Sequence, residues 1–110
     1  MVNQCFLDGN IGQLTFGNLN DGKKWCRFSI AQNESYTDKN GNKQQNTTWF
    51  NITAWDRNAE YCEKWLRKGS MIGVIGRIKI NKYTDKDGIE REQFNIIAEK
   101  FMQHVWRGLS

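Results

Sequence analysis

Apolar and polar side chains alternate along five segments of this chain, and this alternation is the period of a β-strand with one buried face. The segments are rich in β-branched and aromatic residues, and they span roughly residues 3–16, 24–35, 46–56, 71–83 and 92–102. Turn signals that contain glycine separate three pairs of consecutive strands: Asn20-Asp21-Gly22, Asn40-Gly41-Asn42 and Asp87-Gly88. We therefore predict five strands, with hairpins where glycine allows a positive φ.

The segment between the third and fourth strands has a helical period instead. Its apolar stripe, which we expect to face the core, consists of Ala59, Cys62, Trp65 and Leu66. The pattern predicts a helix over residues 57–68, with Asp56 capping its start and Gly69 ending it. Three strands, a helix and two strands is the order of the OB-fold, a five-stranded Greek-key barrel. We predict this all-β fold with one short helix, in a single domain.

Each of three predicted strands has one apolar face, and we expect these faces to form the core. They comprise Cys26, Phe28 and Ile30; Thr48, Phe50, Ile52 and Ala54; and Ile72, Val74, Gly76, Ile78 and Ile80. The opposite faces carry aromatic, basic and small polar side chains: Trp25, Arg27 and Ser29; Trp49, Asn51, Thr53 and Trp55; and Arg77, Lys79, Asn81 and Tyr83. Tyr36 follows the second strand at the base of a loop. Exposed rings beside cations indicate a surface that stacks on bases and follows phosphates, as binding of a single nucleic-acid strand requires.

The overall charge agrees with an anionic partner. Sixteen Lys and Arg residues against twelve Asp and Glu residues give a formal charge of +4, with a pI near 9.1. The cysteines Cys5, Cys26 and Cys62 have no C-x-x-C spacing, and we expect them to be buried free thiols in a reducing cytosol. No apolar run approaches the ~20 residues of a membrane span, so we expect a cytoplasmic protein without a membrane partner.

An active site is not indicated by the sequence. The one histidine, His104, lies near the end of the chain, and no nucleophile, base or metal cluster accompanies it. Asp85-Lys86-Asp87-Gly88 has the start of a calcium loop, but the later ligands of such a loop are out of register, and a turn explains the residues. We expect no enzyme activity, no cofactor and no metal.

Short sequence pieces occur in the order and at the spacing of a known family. They are Val2-Asn3-Gln4, Gly9-Asn10-Ile11-Gly12, Glu34-Ser35-Tyr36, Thr48-Trp49-Phe50-Asn51-Ile52, Ala59-Glu60, Leu66-Arg67-Lys68-Gly69-Ser70, Gly76-Arg77 and Lys82-Tyr83-Thr84-Asp85-Lys86-Asp87-Gly88. Over residues 2 to about 103 the chain resembles the bacterial single-stranded DNA-binding protein family.

The resemblance implies individual roles. The stacking residues of the family fall on Tyr36, Trp49, Trp55 and Tyr83, and the outward face of the second strand adds Trp25. The phosphate-contacting cations fall on Arg57, Arg67, Lys68, Lys79 and Lys82, and the basic face of the fourth strand adds Arg77. Asn81 stands where the family often has a basic residue. The implied function is to coat single-stranded DNA without sequence preference in replication, recombination and repair.

The resemblance also implies a homo-oligomer, with a tetramer favoured over a dimer. Asp8 replaces an aliphatic residue of the family, and Phe50 replaces a histidine that contributes to subunit contacts. We expect an OB-fold domain over residues 1–103 and a short C-terminal extension over residues 104–110. Because that extension has no acidic tip, recruitment of partner enzymes by a tail is not supported.

Two other functions stay open. One is a protein-docking OB module of the primosomal type, which should lose several stacking aromatics. The other is binding of single-stranded RNA, since aromatic platforms do not by themselves exclude ribose. A measured preference for DNA over RNA of equal length separates the second from the main hypothesis.

Overall fold

Six strands and one helix make up residues 2–103, which are the residues that this computed structural model describes. In chain order the elements are β1 (Cys5–Ile11), β2 (Thr15–Asn18), β3 (Lys24–Thr37), β4 (Lys43–Trp55), α1 (Arg57–Trp65), β5 (Met71–Thr84) and β6 (Glu90–Gln103). The predicted C-terminal extension, with His104, lies outside the described residues.

The strands form one sheet that closes on itself. Their order is β1-β5-β6-β4-β3-β2, and β1 also pairs with β3, which closes a barrel of β1, β5, β6, β4 and β3. The described pairs are antiparallel except β4 with β6, where Ile52 lies opposite Ile96 and Thr53 opposite Ile97. The helix connects β4 to β5 and packs against β3, β4 and β6. This is the predicted OB-fold.

The first predicted strand, residues 3–16, is divided into β1 and β2. Ile11 lies opposite Ile30, and Thr15 lies opposite Arg27, so this part of the chain advances by one residue more than β3 does. An extra residue bends a strand. The bend lets one edge of β3 pair with both β1 and β2, a non-local constraint that apolar alternation does not reveal.

The core lies between the inner faces of the barrel strands and α1. Its buried residues include Cys26, Phe28, Ile30, Ile52, Ala54, Ile72, Val74, Ile96 and Ala98. The prediction was wrong for Ile78 and Ile80, which are 45% and 49% exposed. They have core parity, but the pairing of β5 with β1 ends at Gly76, and β5 continues with β6 into a two-stranded arm. Thr48 is likewise exposed, on a second arm formed by β3 and β4.

The helix differs from its prediction at both ends. Asp56 has φ 53° and makes no side-chain capping bond; instead its backbone N–H donates to the carbonyl of Lys24. The helix ends at Trp65, three residues early, because Leu66 becomes extended and is buried. Gly69, with φ 91°, therefore forms a later turn. No helix within residues 2–103 is long and apolar enough to cross a membrane.

Two of the three cysteines meet where α1 packs on β3. Cys26 and Cys62 are buried free thiols, whereas Cys5 is only half-buried, so the prediction of three buried thiols was too strong. A hydrogen bond with the Cys26 thiol, together with burial, raises the pKa of Cys62. The Cys62 thiol therefore stays protonated near neutral pH and packs as a small apolar group.

Candidate nucleic-acid interface

A groove of about 390 Å³ crosses the outer surface of β3, β4, β6 and β5. Its lining is rich in side-chain amides: Gln13, Asn51, Asn81, Gln93 and Asn95. Arg27 and Lys79 contribute positive charge, and Trp55 contributes an aromatic ring. An amide side chain offers both donors and acceptors, so these groups can meet bases or sugars of different kinds.

The strand register brings these side chains to one face. Along β3 and β4 the opposite pairs are Trp25 with Trp55, Arg27 with Thr53, Ser29 with Asn51 and Ala31 with Trp49. On β5 and β6 the pairs are Lys79 with Asn95, Asn81 with Gln93 and Tyr83 with Arg91. The parallel pairing of β4 with β6 joins the two halves. Thr53 lies at this junction and is buried, although its parity predicted an outward position.

Trp49 offers the most open ring among the tryptophans predicted to stack. Its side chain is 59% exposed. One edge of the indole lies against Gly12, where an added Cβ would come within 3.2 Å of Cζ3. Gly12 is itself fixed by donating its backbone N–H to the carbonyl of Ser29. The ring is thus supported at an edge while much of its surface stays accessible.

Trp25 and Trp55 are half-buried and lie opposite one another at the start of β3. Lys23 Nζ lies 4.8 Å from the ring centroid of Trp55, and the guanidinium of Arg27 lies 5.2 Å from that of Trp25. Trp25 also covers Gly17, where an added Cβ would approach the indole to 2.4 Å. Contacts within the protein therefore occupy more of Trp25 than of Trp49.

The two tyrosines project from different sides of their arms. Tyr83 is exposed on the face of β5 that also carries Lys79 and Asn81. Tyr36 is exposed too, but it has the parity of Phe28 and Ile30 and lies on the side of its arm opposite Trp49. The structure therefore places Tyr83, and not Tyr36, on the face of the groove.

The predicted phosphate-contacting cations fall into three places. Lys79 lines the groove and Arg77 shares its face, whereas Lys82 lies on the opposite face of the arm, across from Glu92. Arg57 begins α1, and Arg67 and Lys68 follow its end. All of these side chains are exposed.

Sequence reasoning missed two cations that contact rings. Arg27 has the parity of Trp25, so the alternation already placed it beside the aromatic face, although it was not assigned a phosphate role. Lys23 lies in the turn before β3, where parity gives no direction, and no local signal could have found it.

Carboxylates organise the turns at both arm tips. Asp38 Oδ1 accepts the backbone N–H groups of Asn40 and Asn42 at 2.9 Å, and these bonds, led by that of Asn42, lower the pKa of Asp38. At the other tip, the pKa of Asp85 is lowered by Arg91, whose Nε lies 2.9 Å from Oδ2, and by the N–H groups of Ile89 and Asp87. Both carboxylate oxygens of Asp85 therefore bind groups of its own hairpin. This turn role explains the segment Asp85-Lys86-Asp87-Gly88 without a bound calcium ion.

Comparison with known proteins gives a consistent result. Residues 2–104 match the model of the Single-strand binding protein family. A Single-stranded DNA-binding protein of Neisseria meningitidis is 36% identical over 100 residues, covering 90% of this chain and 58% of the relative. One from Xanthomonas axonopodis is 31% identical over 108 residues, covering 97% and 60%. The chain thus spans about three-fifths of the length of these curated relatives.

Solved structures share the fold over nearly the whole chain. The SSB of Plasmodium falciparum, in complex with single-stranded DNA, superposes with a TM-score of 0.80 at 28% identity, covering 93% of this chain and 94% of that chain. A small single-stranded DNA-binding protein from Streptomyces coelicolor gives a TM-score of 0.74 at 24% identity, covering 98% and 100%.

Proposed function

Because this chain belongs to the single-strand binding protein family, we propose that it binds and coats single-stranded DNA without sequence preference. The observation that carries this proposal is the exposed indole of Trp49 on the same sheet face as Trp55 and the groove cations. Rings that stack beside cations that follow phosphates are the general chemistry of single-strand binding.

Base stacking is assigned first to Trp49, Trp55 and Tyr83, which share the groove face. Trp25 stands beside Trp55 and can receive a base where Arg27 moves off its ring. Tyr36 lies on the other side of the β3–β4 arm, so a DNA strand would reach it by passing around the tip of that arm. Each stacked base contributes about 1–3 kcal/mol, and the interaction tolerates every base because every base has a π-face.

Phosphate neutralisation is assigned to cations along and beside the groove. Lys79, Arg77 and Arg27 serve the groove itself, Arg57 stands at the start of α1, and Arg67 and Lys68 stand beyond its end. Lys82 can contact a phosphate if the DNA strand crosses the edge of the β5–β6 arm. Duplex DNA keeps its base faces inside the stack, so these platforms discriminate against it without any repulsive element.

The role is one of binding, without catalysis and without a cofactor. It fits protection of exposed strands during replication, recombination and repair in the bacterial cytoplasm, where the three free thiols would stay reduced.

A second copy of the chain is the partner that we propose beyond DNA. The outer face of β1, β5 and β6 exposes Phe6, Met71 and Met102 around Gly73. Phe6 and Met102 both approach the position of a Cβ at Gly73, at 3.1 and 3.5 Å. This apolar surface lies away from the groove and suits a contact between copies of the chain. The preference for a tetramer over a dimer rests on the family resemblance.

Intrinsic tryptophan fluorescence tests the proposed function. Oligo-dT should quench the emission strongly, and rising salt should weaken the quenching because bound phosphates release counterions. An equal-length duplex should give little quenching, and oligo-rU should bind more weakly than oligo-dT. If no single strand quenches the emission at low salt, the proposed function is wrong and a protein-docking role takes its place.

A further inference from the structure

Trp65 is a large aromatic side chain that the groove does not use. The apolar stripe of α1 predicts it in the core, but it is 61% exposed. The reason is local: α1 ends at Trp65, and Leu66 turns inward in an extended conformation to fill the core position. A single exposed ring is common at a protein surface, so the groups beside Trp65 decide whether it can bind a ligand.

The surroundings of Trp65 are basic. Lys64 lies in the last turn of α1, and Arg67 and Lys68 follow it directly. Arg67 is held at the helix end, since its Nη1 donates to the carbonyl of Leu66 at 2.9 Å and to that of Glu63 at 3.4 Å. Trp65 has three cations within three residues of it in the chain and one carboxylate, Glu63. An exposed ring with a net positive neighbourhood has the same chemistry as the groove, and it is complementary to a phosphate chain with unpaired bases.

Backbone hydrogen bonds join this region to the Trp49 side of the groove. Gly69 donates its N–H to the carbonyl of Ile11, and Ile11 donates to the carbonyl of Ser70, both at 2.8 Å. The next residue, Gly12, supports the indole of Trp49. The turn at residues 67–70, which follows Trp65 in the chain, therefore lies next to the Trp49 side of the groove.

We propose that Trp65, with Lys64 and Lys68, forms a second contact site for single-stranded DNA, in which an unpaired base stacks on the indole and the lysines neutralise adjacent phosphates. The site extends the groove beyond the barrel face and increases the length of strand that one subunit holds. This inference rests on the proposed function, because it assumes that a strand already occupies the groove.

The test compares Trp65→Ala with the unsubstituted chain on two lengths of oligo-dT. OB-folds hold roughly 4–16 nucleotides each, so the lengths are chosen near those two limits. Trp65→Ala should weaken binding of the long oligonucleotide by about fivefold or more, as expected for loss of one stacked base, and leave the short one unchanged. Trp65→Phe should recover most of the loss.

Phe94→Ala is the matched control. Phe94 is also 61% exposed, but it lies on the side of the β5–β6 arm that carries Glu92. Its removal should leave binding of both oligonucleotides unchanged. An equal loss in Phe94→Ala would overturn the proposal, because exposed aromatic area alone would then account for the effect.

Two further outcomes would also overturn it. One is unchanged affinity of Trp65→Ala for the long oligonucleotide, and the other is a change in the molar mass of the assembly, which would assign Trp65 to a subunit contact. Trp49→Ala in the same assay tests the groove separately: if it leaves binding of the short oligonucleotide intact, Trp49 is not the main platform, whatever Trp65 does. The proposed function itself fails if the unsubstituted chain binds neither oligonucleotide, and this outcome is distinct from a result in which only the Trp65 site fails.

Discussion

At the scale of single residues, the aromatic side chains differ in how much of each ring is already in contact with other groups of the protein. The indole of Trp25 lies over Gly17 and faces Arg27, whereas Trp49 lies against Gly12 along one edge and is 59% exposed. A base can stack on Trp49 without displacing another group. Trp49 should therefore contribute more to binding than Trp25.

Replacing Trp49 with alanine should weaken oligo-dT binding by about 1–3 kcal/mol, because a stacked base loses its platform. The thermal midpoint should stay nearly unchanged, since little of this ring is buried in the fold. Titration calorimetry gives the affinity, and a thermal melt gives the stability. The matched variant Trp25→Ala should lose less affinity and more stability. Unchanged affinity in Trp49→Ala would exclude it as the main platform.

The two lysines of the β5–β6 arm provide a second test at this scale. Lys79 lines the groove, whereas Lys82 lies on the other face of the arm, opposite Glu92. Lys79→Ala should reduce the slope of log K against log salt by about 0.7, the value for one phosphate of a single strand. An unaltered slope in Lys82→Ala would remove Lys82 from the DNA path, and an equal reduction would show that the strand crosses the arm.

At the scale of elements, both arms depend on a turn closed by an aspartate. The Asp38 carboxylate accepts hydrogen bonds from two backbone N–H groups of its turn, and Asp85 does the same at the other tip. Gly41 and Gly88 provide the positive φ values of 81° and 78° that the turns require. These short local signals explain why both hairpins could be predicted from the sequence.

Lowering the pH should weaken the hydrogen bonds that close the turns at the ends of the two arms. Backbone hydrogen bonds lower the pKa of Asp38 in the folded chain, so its ionised form stabilises the turn at pH values above the ordinary aspartate pKa of about 3.9. This contribution disappears as the pH falls through the lowered pKa. NMR of the Asn42 amide proton should follow that titration, and Asp38→Asn should abolish it. A midpoint at or above the ordinary value would contradict the turn geometry.

Non-local pairing explains what the sequence could not reveal about the elements. Ile78 and Ile80 have core parity, yet they are exposed because β5 and β6 continue beyond the barrel. Parity cannot show where a barrel ends. Trp49 could be placed outward correctly from its strand alone. The predicted second strand ended at residue 35, so parity was not extended to Tyr36, which the longer β3 places on the far side of an arm.

At the scale of the whole molecule, the parallel pairing of β4 with β6 fixes the relation of the arms. Both strands start in an arm and enter the barrel in the same direction, so the two arms extend from the same end of it. The groove then lies on the sheet face that both arms share, and the apolar surface around Phe6 lies on another part of the barrel wall. If the chain binds DNA and a second copy as proposed, the two contacts therefore use different parts of its surface.

The substitution Phe6→Asp tests that separation. Phe6 is 62% exposed on the outer face of β1, which also carries Asp8, so a second carboxylate should repel an identical subunit. Light scattering should show a smaller molar mass, and the affinity for a short oligo-dT should be unchanged because the groove is distant. Phe94→Ala, at an equally exposed aromatic on an arm, should keep the original mass. If Phe6→Asp keeps it too, subunits do not meet at this face; if short-strand affinity falls with the mass, the groove itself depends on the assembly.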